Sequence, residues 1–309
     1  MRTRHVVVSL LACLGHAALS QAMEANSQPD STGTGHFPPL KEEVASLPEH
    51  VVYRPRDLAS LGKLKLGVVA WGNGGCSDDG ASSRQHLLEI ASHGYLVVAN
   101  GRILSGPGAP AAAPRAAPVP GQLPPTRTRA AQLTETIDWA LRENARKDSP
   151  YYNRIDPKAI AVSGWSCGGV QAIRVGSDPR VKTLVLHNTG LVNNRGSAPS
   201  SEMDLGKEAL AGLHSPTIYI LGGTKDIAWS NGMNDFGRID HIPVAVANRN
   251  VGHGGTFLEP NGGAAAQVAV NWLDWQLRGD KKAARHFLGK DCGLCRDDAW
   301  IYEQKRLGR

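Results

Sequence analysis

The chain has 309 residues, of which 41% are hydrophobic, so it can form one large domain or two small ones around a sizeable core. Its formal net charge is +6, but lysine and arginine are scattered, and no run of five or more basic residues occurs. This scatter argues against nucleic-acid binding. No stretch of 18 apolar residues is present, so the sequence predicts no membrane span.

The N-terminus has the pattern of a secretory signal peptide. Arg2 and Arg4 precede a short apolar run at 6–19, and the small residues "SQA" follow at 20–22. We expect cleavage after Ala22 and a secreted or periplasmic protein. A competing interpretation is a lipoprotein signal ending at Cys13, although that would leave a very short leader.

Residues 23–45 are polar and rich in proline, glycine and serine, so they predict a flexible linker before one folded domain at 46–309. Within that domain, strand and helix patterns alternate, as expected for an α/β fold with a doubly wound, mostly parallel sheet and helices on both faces. The predicted strands span 51–54, 65–70, 95–100, 159–163, 183–187, 217–221 and 244–247. The predicted helices span 82–92, 126–146, 168–176, 203–213 and 264–277.

A proline-rich stretch at 104–125 interrupts this alternation, because its prolines exclude a helix interior or a central strand. It follows a predicted strand and therefore belongs at the carboxyl edge of the sheet. Two interpretations stay open: a variable surface loop, or a wall of a substrate cleft.

The residues "GWSCG" at 164–168 place a serine between two glycines, after a predicted strand and before a predicted helix. This is the pattern of a nucleophile elbow, in which Gly164 and Gly168 leave room for a tight turn that exposes Ser166. The N–H of Cys167 then lies at a helix start, where it can point at an oxyanion. The alternative is an ordinary strand-to-helix turn.

A serine nucleophile needs a base, and ligands gather at the carboxyl edge of such sheets. His253, in "VGHGGTF", follows the last predicted parallel strand in a glycine-rich loop and is the best candidate, with a solvated loop histidine as the alternative. The other histidines weighed here precede strands or come too early in the chain order: His93, His187, His214 and His241.

The acid that orients the base should follow another strand. Asp226, in "TIYILGGTKDIAW", lies just after the strand predicted at 217–221. Asp235 and Asp240 lie further along and are interpreted as surface groups. The order Ser166, Asp226, His253 is that of a Ser–Asp–His triad on an α/β-hydrolase fold.

A second oxyanion donor is expected after the strand at 65–70, where "WGNGGC" occupies 71–76. Its glycines allow a backbone N–H to approach a substrate oxygen. Losing one such donor typically costs about 3–4 kcal/mol of transition-state stabilisation.

With "GWSCGG", "KDIAW" and "ASHGY", the chain resembles the α/β-hydrolase superfamily over essentially all of 50–285. Within it, the sequence is most similar to bacterial cutinases, polyester hydrolases and dienelactone-hydrolase-like or chlorophyllase-like esterases. The resemblance implies a catalytic domain at 46–309 and oxyanion donors from Cys76 and Cys167. Those enzymes usually have an aromatic residue and a methionine at these two positions, and they lack the proline-rich stretch and the "CGLC" motif found here.

Four cysteines remain after cleavage of the leader, an even number that favours two disulfides in an exported protein. If both implied oxyanion donors are cysteines, Cys76 and Cys167 are neighbours and can pair with each other. Two buried thiols, or pairing with the C-terminal cysteines, are the alternatives. Cys292 and Cys295 form a C-x-x-C tail that we interpret as a local disulfide, because too few further ligands follow for a metal site.

These features together predict a secreted serine esterase that acts on a small-molecule or polymeric ester. We expect it to need no cofactor or metal, to bind no nucleic acid and to be a monomer. Trp71, Trp165 and Trp229 adjoin the proposed catalytic segments and are candidates for an apolar substrate site, with plain packing as the alternative. A cutinase-type polymer hydrolase and a non-catalytic binding protein with this fold are the other functions considered.

Overall fold

A single nine-stranded sheet organises the chain. The computed structural model describes residues 28–111, 125–193, 198 and 200–308. The strands, in chain order, are β1 (Pro39–Val44), β2 (Leu47–Pro55), β3 (Leu66–Gly72), β4 (Tyr95–Asn100), β5 (Ile155–Trp165), β6 (Thr183–His187), β7 (Thr217–Leu221), β8 (Val244–Asn248) and β9 (Ile301–Lys305).

The strand order in the sheet is β1-β2-β4-β3-β5-β6-β7-β8-β9. The six strands from β4 to β8 in that order are parallel, whereas the pairings of β1, β2 and β9 at the edges are antiparallel. This mostly parallel sheet confirms the predicted α/β architecture. It is also compatible with the α/β-hydrolase fold that the sequence resembles.

Helices cover both faces of the sheet. They are α1 (Arg84–Ser92), α2 (Ala131–Ala145), α3 (Cys167–Val175), α4 (Trp229–Arg238), α5 (Gly263–Arg278) and α6 (Lys281–Ala284). Apolar side chains of α2, α3 and α4 belong to one core, and those of α1 and α5 belong to a second core on the other face. Within the described ranges, no helix is long and apolar enough to cross a membrane.

Burial on two faces explains why the strands could be found in the sequence. Every residue of β3 and of β4 is buried, because helices pack on each side of the sheet. Such strands are continuous apolar runs rather than alternating ones. All seven predicted strands are present, and the predictions for β4, β6 and β7 match the observed bounds.

The prediction of a flexible linker at 23–45 is wrong where this range forms a strand. Strand β1 lies inside that range and pairs with β2, with Lys41 opposite Tyr53. The N–H of Phe37 donates to the carbonyl of Ser92 at 2.9 Å, which ties the segment before β1 to the end of α1. Backbone pairing holds this edge strand, so an apolar pattern was not needed to form it. The predicted signal peptide at 1–22 lies outside the described residues.

The helix predicted at 203–213 is also wrong. The structure has only a short 3-10 helix there, Lys207–Gly212, and Gly206 before it is extended. Conversely, α4 was not predicted, since its asparagines and glycines are weak helix formers. Tertiary packing explains the glycine at position 232, because a Cβ there would lie 2.6 Å from the carbonyl oxygen of Thr189.

Candidate active site

Three of the residues singled out in the sequence meet at the carboxyl edge of the parallel strands. The Nε2 atom of His253 lies 2.9 Å from the Oγ atom of Ser166, and its Nδ1 atom lies 2.6 Å from an oxygen of Asp226. Ser166 follows β5, Asp226 follows β7 and His253 follows β8. The chain of contacts thus joins loops from three separate strands.

The Ser166 backbone makes an unusually sharp turn between β5 and α3. Its φ and ψ angles are 54° and −118°, a region that non-glycine residues rarely occupy. Two contacts hold the turn: the Ser166 N–H donates to the carbonyl of His187 at 3.0 Å, and the hydroxyl of Thr189 donates to the carbonyl of Ser166 at 2.7 Å. The turn leaves the Ser166 side chain half-buried, so its hydroxyl is accessible.

Glycines around the turn allow three backbone segments to touch. A Cβ at Gly168 would lie 2.0 Å from the carbonyl of Gly72, and one at Gly164 would lie 2.3 Å from the carbonyl oxygen of Gly168. No larger residue fits at these distances. The end of β3 therefore packs directly on the start of α3, beside Ser166.

The Asp226 carboxylate is buried and fully supplied with donors. It accepts hydrogen bonds from the N–H groups of Gly222 at 3.2 Å and Ala228 at 2.9 Å, in addition to its contact with His253. A carboxylate only accepts hydrogen bonds, so the Nδ1 atom of His253 must carry the shared proton. The Nε2 atom then presents its lone pair to the Ser166 hydroxyl.

Two side chains hold the His253 loop in place. The sequence analysis did not identify Asn188, and it interpreted Trp165 as a candidate for the substrate site. The Asn188 side-chain amide donates to the carbonyls of Gly252 at 2.9 Å and His253 at 2.8 Å. The indole N–H of Trp165 also donates to the His253 carbonyl, at 2.9 Å. Asn188 directly follows β6 at the same edge of the sheet, so the strand-end rule that identified Asp226 could have found it.

The loops that carry Asp226 and His253 are also joined directly. The Gly252 N–H donates to the carbonyl of Gly222 at 2.8 Å. A Cβ at Gly222 would lie 2.0 Å from the Gly252 carbonyl oxygen. This backbone contact sets the separation of the acid and the base.

The two backbone donors implied by the resemblance differ in their surroundings. Cys167 is the first residue of α3, so its N–H has no acceptor within the helix. The N–H of Cys76 instead donates to the carbonyl of Asn73 at 3.2 Å, within the 3-10 turn Gly74–Cys76. In this geometry Cys167 offers a free donor, whereas the Cys76 N–H is engaged in its own turn.

The structure contains both disulfides, Cys76–Cys167 and Cys292–Cys295, with Cα–Cα distances of 5.3 Å and 4.9 Å. The first lies beside Ser166. The second lies in the C-terminal tail, between α6 and β9.

The three tryptophans have different environments, and Trp71 must be removed from the substrate-site candidates. Trp71 is fully buried, because alternation along β3 turns its side chain into the core beneath α1 and α5. Trp165 is half-buried, and its ring centroid lies 5.8 Å from that of His253. Trp229 is partly buried at the start of α4, and its backbone N–H donates to the backbone carbonyl of Asp226 at 3.0 Å.

One acid interpreted as a surface group is buried instead. The Asp235 carboxylate pairs with the ammonium of Lys207 and accepts from the N–H of Leu191 at 2.8 Å. Burial raises the pKa of Asp235 to about 6, despite the opposing effect of Lys207. Asp240 does lie at the surface, where it pairs with Lys305 at 2.7 Å.

The proline-rich stretch can be followed only at its ends, because 112–124 lie outside the described residues. The N–H of Leu104 donates to an Asp79 oxygen at 3.2 Å, and the N–H of Arg127, just beyond the stretch, donates to the Cys76 carbonyl at 2.9 Å. Both ends therefore emerge near the loop that follows β3.

A buried imidazole pair lies behind the site. The rings of His86 and His187 have centroids 4.7 Å apart, and both contact the Trp71 ring. Within the described ranges, neither histidine has a hydrogen-bond partner for its ring nitrogens. Burial lowers the pKa of His86 to about 3 and holds the pKa of His187 well below its usual value. Both rings are therefore neutral at physiological pH.

In the described part of the chain, no group of three or more histidine, cysteine, aspartate or glutamate side chains could hold a metal ion. The sequence matches no protein-family model, and a search of curated proteins finds no match. Any assignment of function therefore rests on the fold and on the contacts of this site.

We predict that Gly168→Ala destabilises the protein by about 3 kcal/mol, because the new methyl group would overlap the Gly72 carbonyl. Denaturant unfolding followed by circular dichroism measures the change. Gly237→Ala is the matched control, since it also lies in a helix but has open space around it. That variant should be stabilised by about 0.5–1 kcal/mol. Equal stability of the two variants would contradict the packing described here.

The buried imidazole pair predicts acid sensitivity. The unfolded chain protonates these histidines near pH 6.5 and the folded chain does not, so stability is complete above that pH and falls as the pH drops below it. For His86 the loss is about 2 kcal/mol at pH 5. His86→Leu should reduce the slope of the unfolding free energy against pH between 5 and 6.5. The reduction should correspond to about one fewer proton taken up on unfolding. His36→Gln, at an exposed histidine, should leave the slope unchanged.

Proposed function

We propose that the protein is a serine hydrolase that cleaves carboxylic esters through an acyl-enzyme on Ser166. The observation that carries the proposal is the continuous contact from Asp226 through His253 to Ser166, at 2.6 Å and 2.9 Å. The strained turn at Ser166 supports it further, because strain of this kind is common where a nucleophile is exposed.

In the first step, the Ser166 oxygen attacks the ester carbonyl carbon while the Nε2 atom of His253 accepts the hydroxyl proton. Asp226 keeps the imidazole oriented and stabilises its positive charge. The tetrahedral intermediate collapses when Nε2 returns the proton to the departing alcohol. A water molecule, deprotonated by the Nε2 atom of His253, then attacks the acyl carbon. The bond to the Ser166 oxygen breaks, Nε2 returns the proton to that oxygen, and the carboxylic acid is released.

The oxyanion formed on the carbonyl oxygen needs fixed donors. The Cys167 N–H is the first donor we assign, because it is free of intrahelical partners at the start of α3. The second donor comes from the backbone that follows β3, at 73–76. The contact between Gly72 and Gly168 holds that segment next to the elbow.

Exposed apolar side chains around the site favour an apolar substrate. Ile227 follows Asp226 directly and is 80% exposed, while Val251 and Leu258 flank His253 and are 41% and 40% exposed. Contact with an apolar ligand removes the surface of these exposed aliphatic side chains from water, and this burial favours binding. Esters with an apolar acyl or alcohol group are therefore the proposed substrates, with a polymeric ester as the alternative.

We also propose that the protein is exported. Two disulfides persist in oxidising compartments and are rare in the cytosol, so the described residues are compatible with secretion. The leader predicted from the sequence specifies the same destination.

The triad is tested by substitution. Ser166→Ala and His253→Ala should each lower kcat for a p-nitrophenyl ester by at least about 10⁴-fold, and Asp226→Asn by about 10⁴-fold. Each variant should keep its circular dichroism spectrum. Ser177→Ala, at an exposed serine after α3, is the matched control and should keep full activity.

A fluorophosphonate probe separates an enzyme from a binding protein with the same fold. The unmodified protein should be labelled on Ser166, as located by peptide mass mapping, and Ser166→Ala should not be labelled. Ester hydrolysis that survives in a folded Ser166→Ala variant would refute the mechanism. A protein that takes up no probe and hydrolyses no ester would support the binding function instead.

A further inference from the structure

The Cys76–Cys167 disulfide lies within the proposed site rather than at its periphery. Cys167 directly follows Ser166, and Cys76 ends the turn that follows β3, 91 residues earlier in the chain. Both cysteines are buried. The bond therefore connects the two backbone segments to which we assign the oxyanion donors.

Local hydrogen bonds shape the turn after β3: the Cys76 N–H donates to the Asn73 carbonyl at 3.2 Å, and the Asn73 side-chain amide donates to the Ser77 carbonyl at 3.0 Å. Gly75 has a φ of 62°, and Cys76 has a φ of 46°, in the left-handed region that disfavours residues with a side chain. Two successive glycines at 74–75 give this segment many other conformations. The bonds within the turn do not reach the elbow at Ser166, so they do not set the distance between these two segments.

The hydrogen bonds that join the turn to a distant segment lie on the side away from α3. The Cys76 carbonyl accepts from the N–H groups of Arg127 at 2.9 Å and Thr128 at 3.0 Å. Among the described residues, no hydrogen bond joins 74–77 to the elbow and helix at 164–175. On that side, Gly74 packs on the Trp165 ring, and the disulfide is the single covalent restraint.

We infer that the Cys76–Cys167 disulfide is a positioning element for ester hydrolysis, an inference that rests on the function proposed above. It holds the segment 73–76 at a fixed distance from the Cys167 N–H, so that both donors face the same oxygen. Such donors act only when they lie within about 2.7–3.1 Å of the oxyanion. Because the ground-state ester depends less on these contacts, removing the bond lowers kcat far more than it changes KM.

The test is the double variant Cys76→Ala/Cys167→Ala, assayed with a p-nitrophenyl ester well below the Tm of every variant. We expect kcat to fall by about 10- to 100-fold, less than the roughly 10²- to 10³-fold cost of removing a donor completely, because the untethered donor is displaced and not lost. KM should change less than about threefold, as for an interaction made mainly in the transition state. The matched control, Cys292→Ala/Cys295→Ala, removes the other disulfide and should keep kcat within about twofold, because that disulfide lies away from Ser166.

A second variant, Cys76→Gly/Cys167→Ala, covers the case in which the first one fails to fold. Glycine tolerates the positive φ at position 76, so this variant removes the tether while relieving the backbone. Its kcat should be at least as low as that of the alanine variant. Unchanged kcat in a folded variant without the tether would overturn the inference.

The outcomes separate the inference from the proposed function. If the unmodified protein neither reacts with the fluorophosphonate probe nor hydrolyses esters, the proposed function itself fails. If it does both, and loss of either disulfide lowers kcat equally, the bond at Cys76 is only structural. A selective fall of kcat on loss of Cys76–Cys167 supports the positioning role.

Discussion

The direct contact between the Gly72 and Gly168 backbones is the constraint on which the candidate site depends. It brings the end of β3 against the first turn of α3 with no side chain between them. The tight turn at Ser166 follows, since the chain must leave β5 and enter α3 within one residue. The Cys76–Cys167 disulfide then joins the same two segments covalently.

The acid and the base are arranged by a second contact of the same kind. Gly222 and Gly252 touch through their backbones, so the loops after β7 and β8 have a fixed separation. Asn188, after β6, ties the carbonyl of His253 to a strand end that lies two strands away from β8 in the sheet. The elements of the site are thus held by main-chain contacts and by side-chain hydrogen bonds to main-chain carbonyls. Such rigidity is what electrostatic catalysis requires.

Burial has costs as well as benefits in this fold. His86, His187 and Trp71 place ring nitrogens in the core with no hydrogen-bond partner in the part of the chain that the structure describes, which opposes folding. The two histidines also make stability depend on pH. Asp226 shows the opposite solution, because two backbone N–H groups and His253 satisfy its carboxylate. The Asp226 carboxylate is therefore supplied with partners, whereas, among the described residues, the rings of His86 and His187 are not.

Much of the fold could be read from the sequence, because burial on both faces leaves a continuous apolar run in every central strand. The positions of Ser166, Asp226 and His253 followed from one further rule, that parallel strands end at a common edge. Edge strand β1 was not predicted, because backbone pairing forms it without an apolar run.

The sequence by itself determined which segments form the central strands and where the turn at Ser166 lies, because apolar runs and glycine positions are local properties. Tertiary structure alone decided that Trp71 points into the core, that Asn188 holds the His253 loop, and that the Cys76 N–H is used within its own turn. Each of these depends on which segments become neighbours. Contacts between residues far apart in the chain leave no periodic pattern in the sequence, so only the folded chain establishes them.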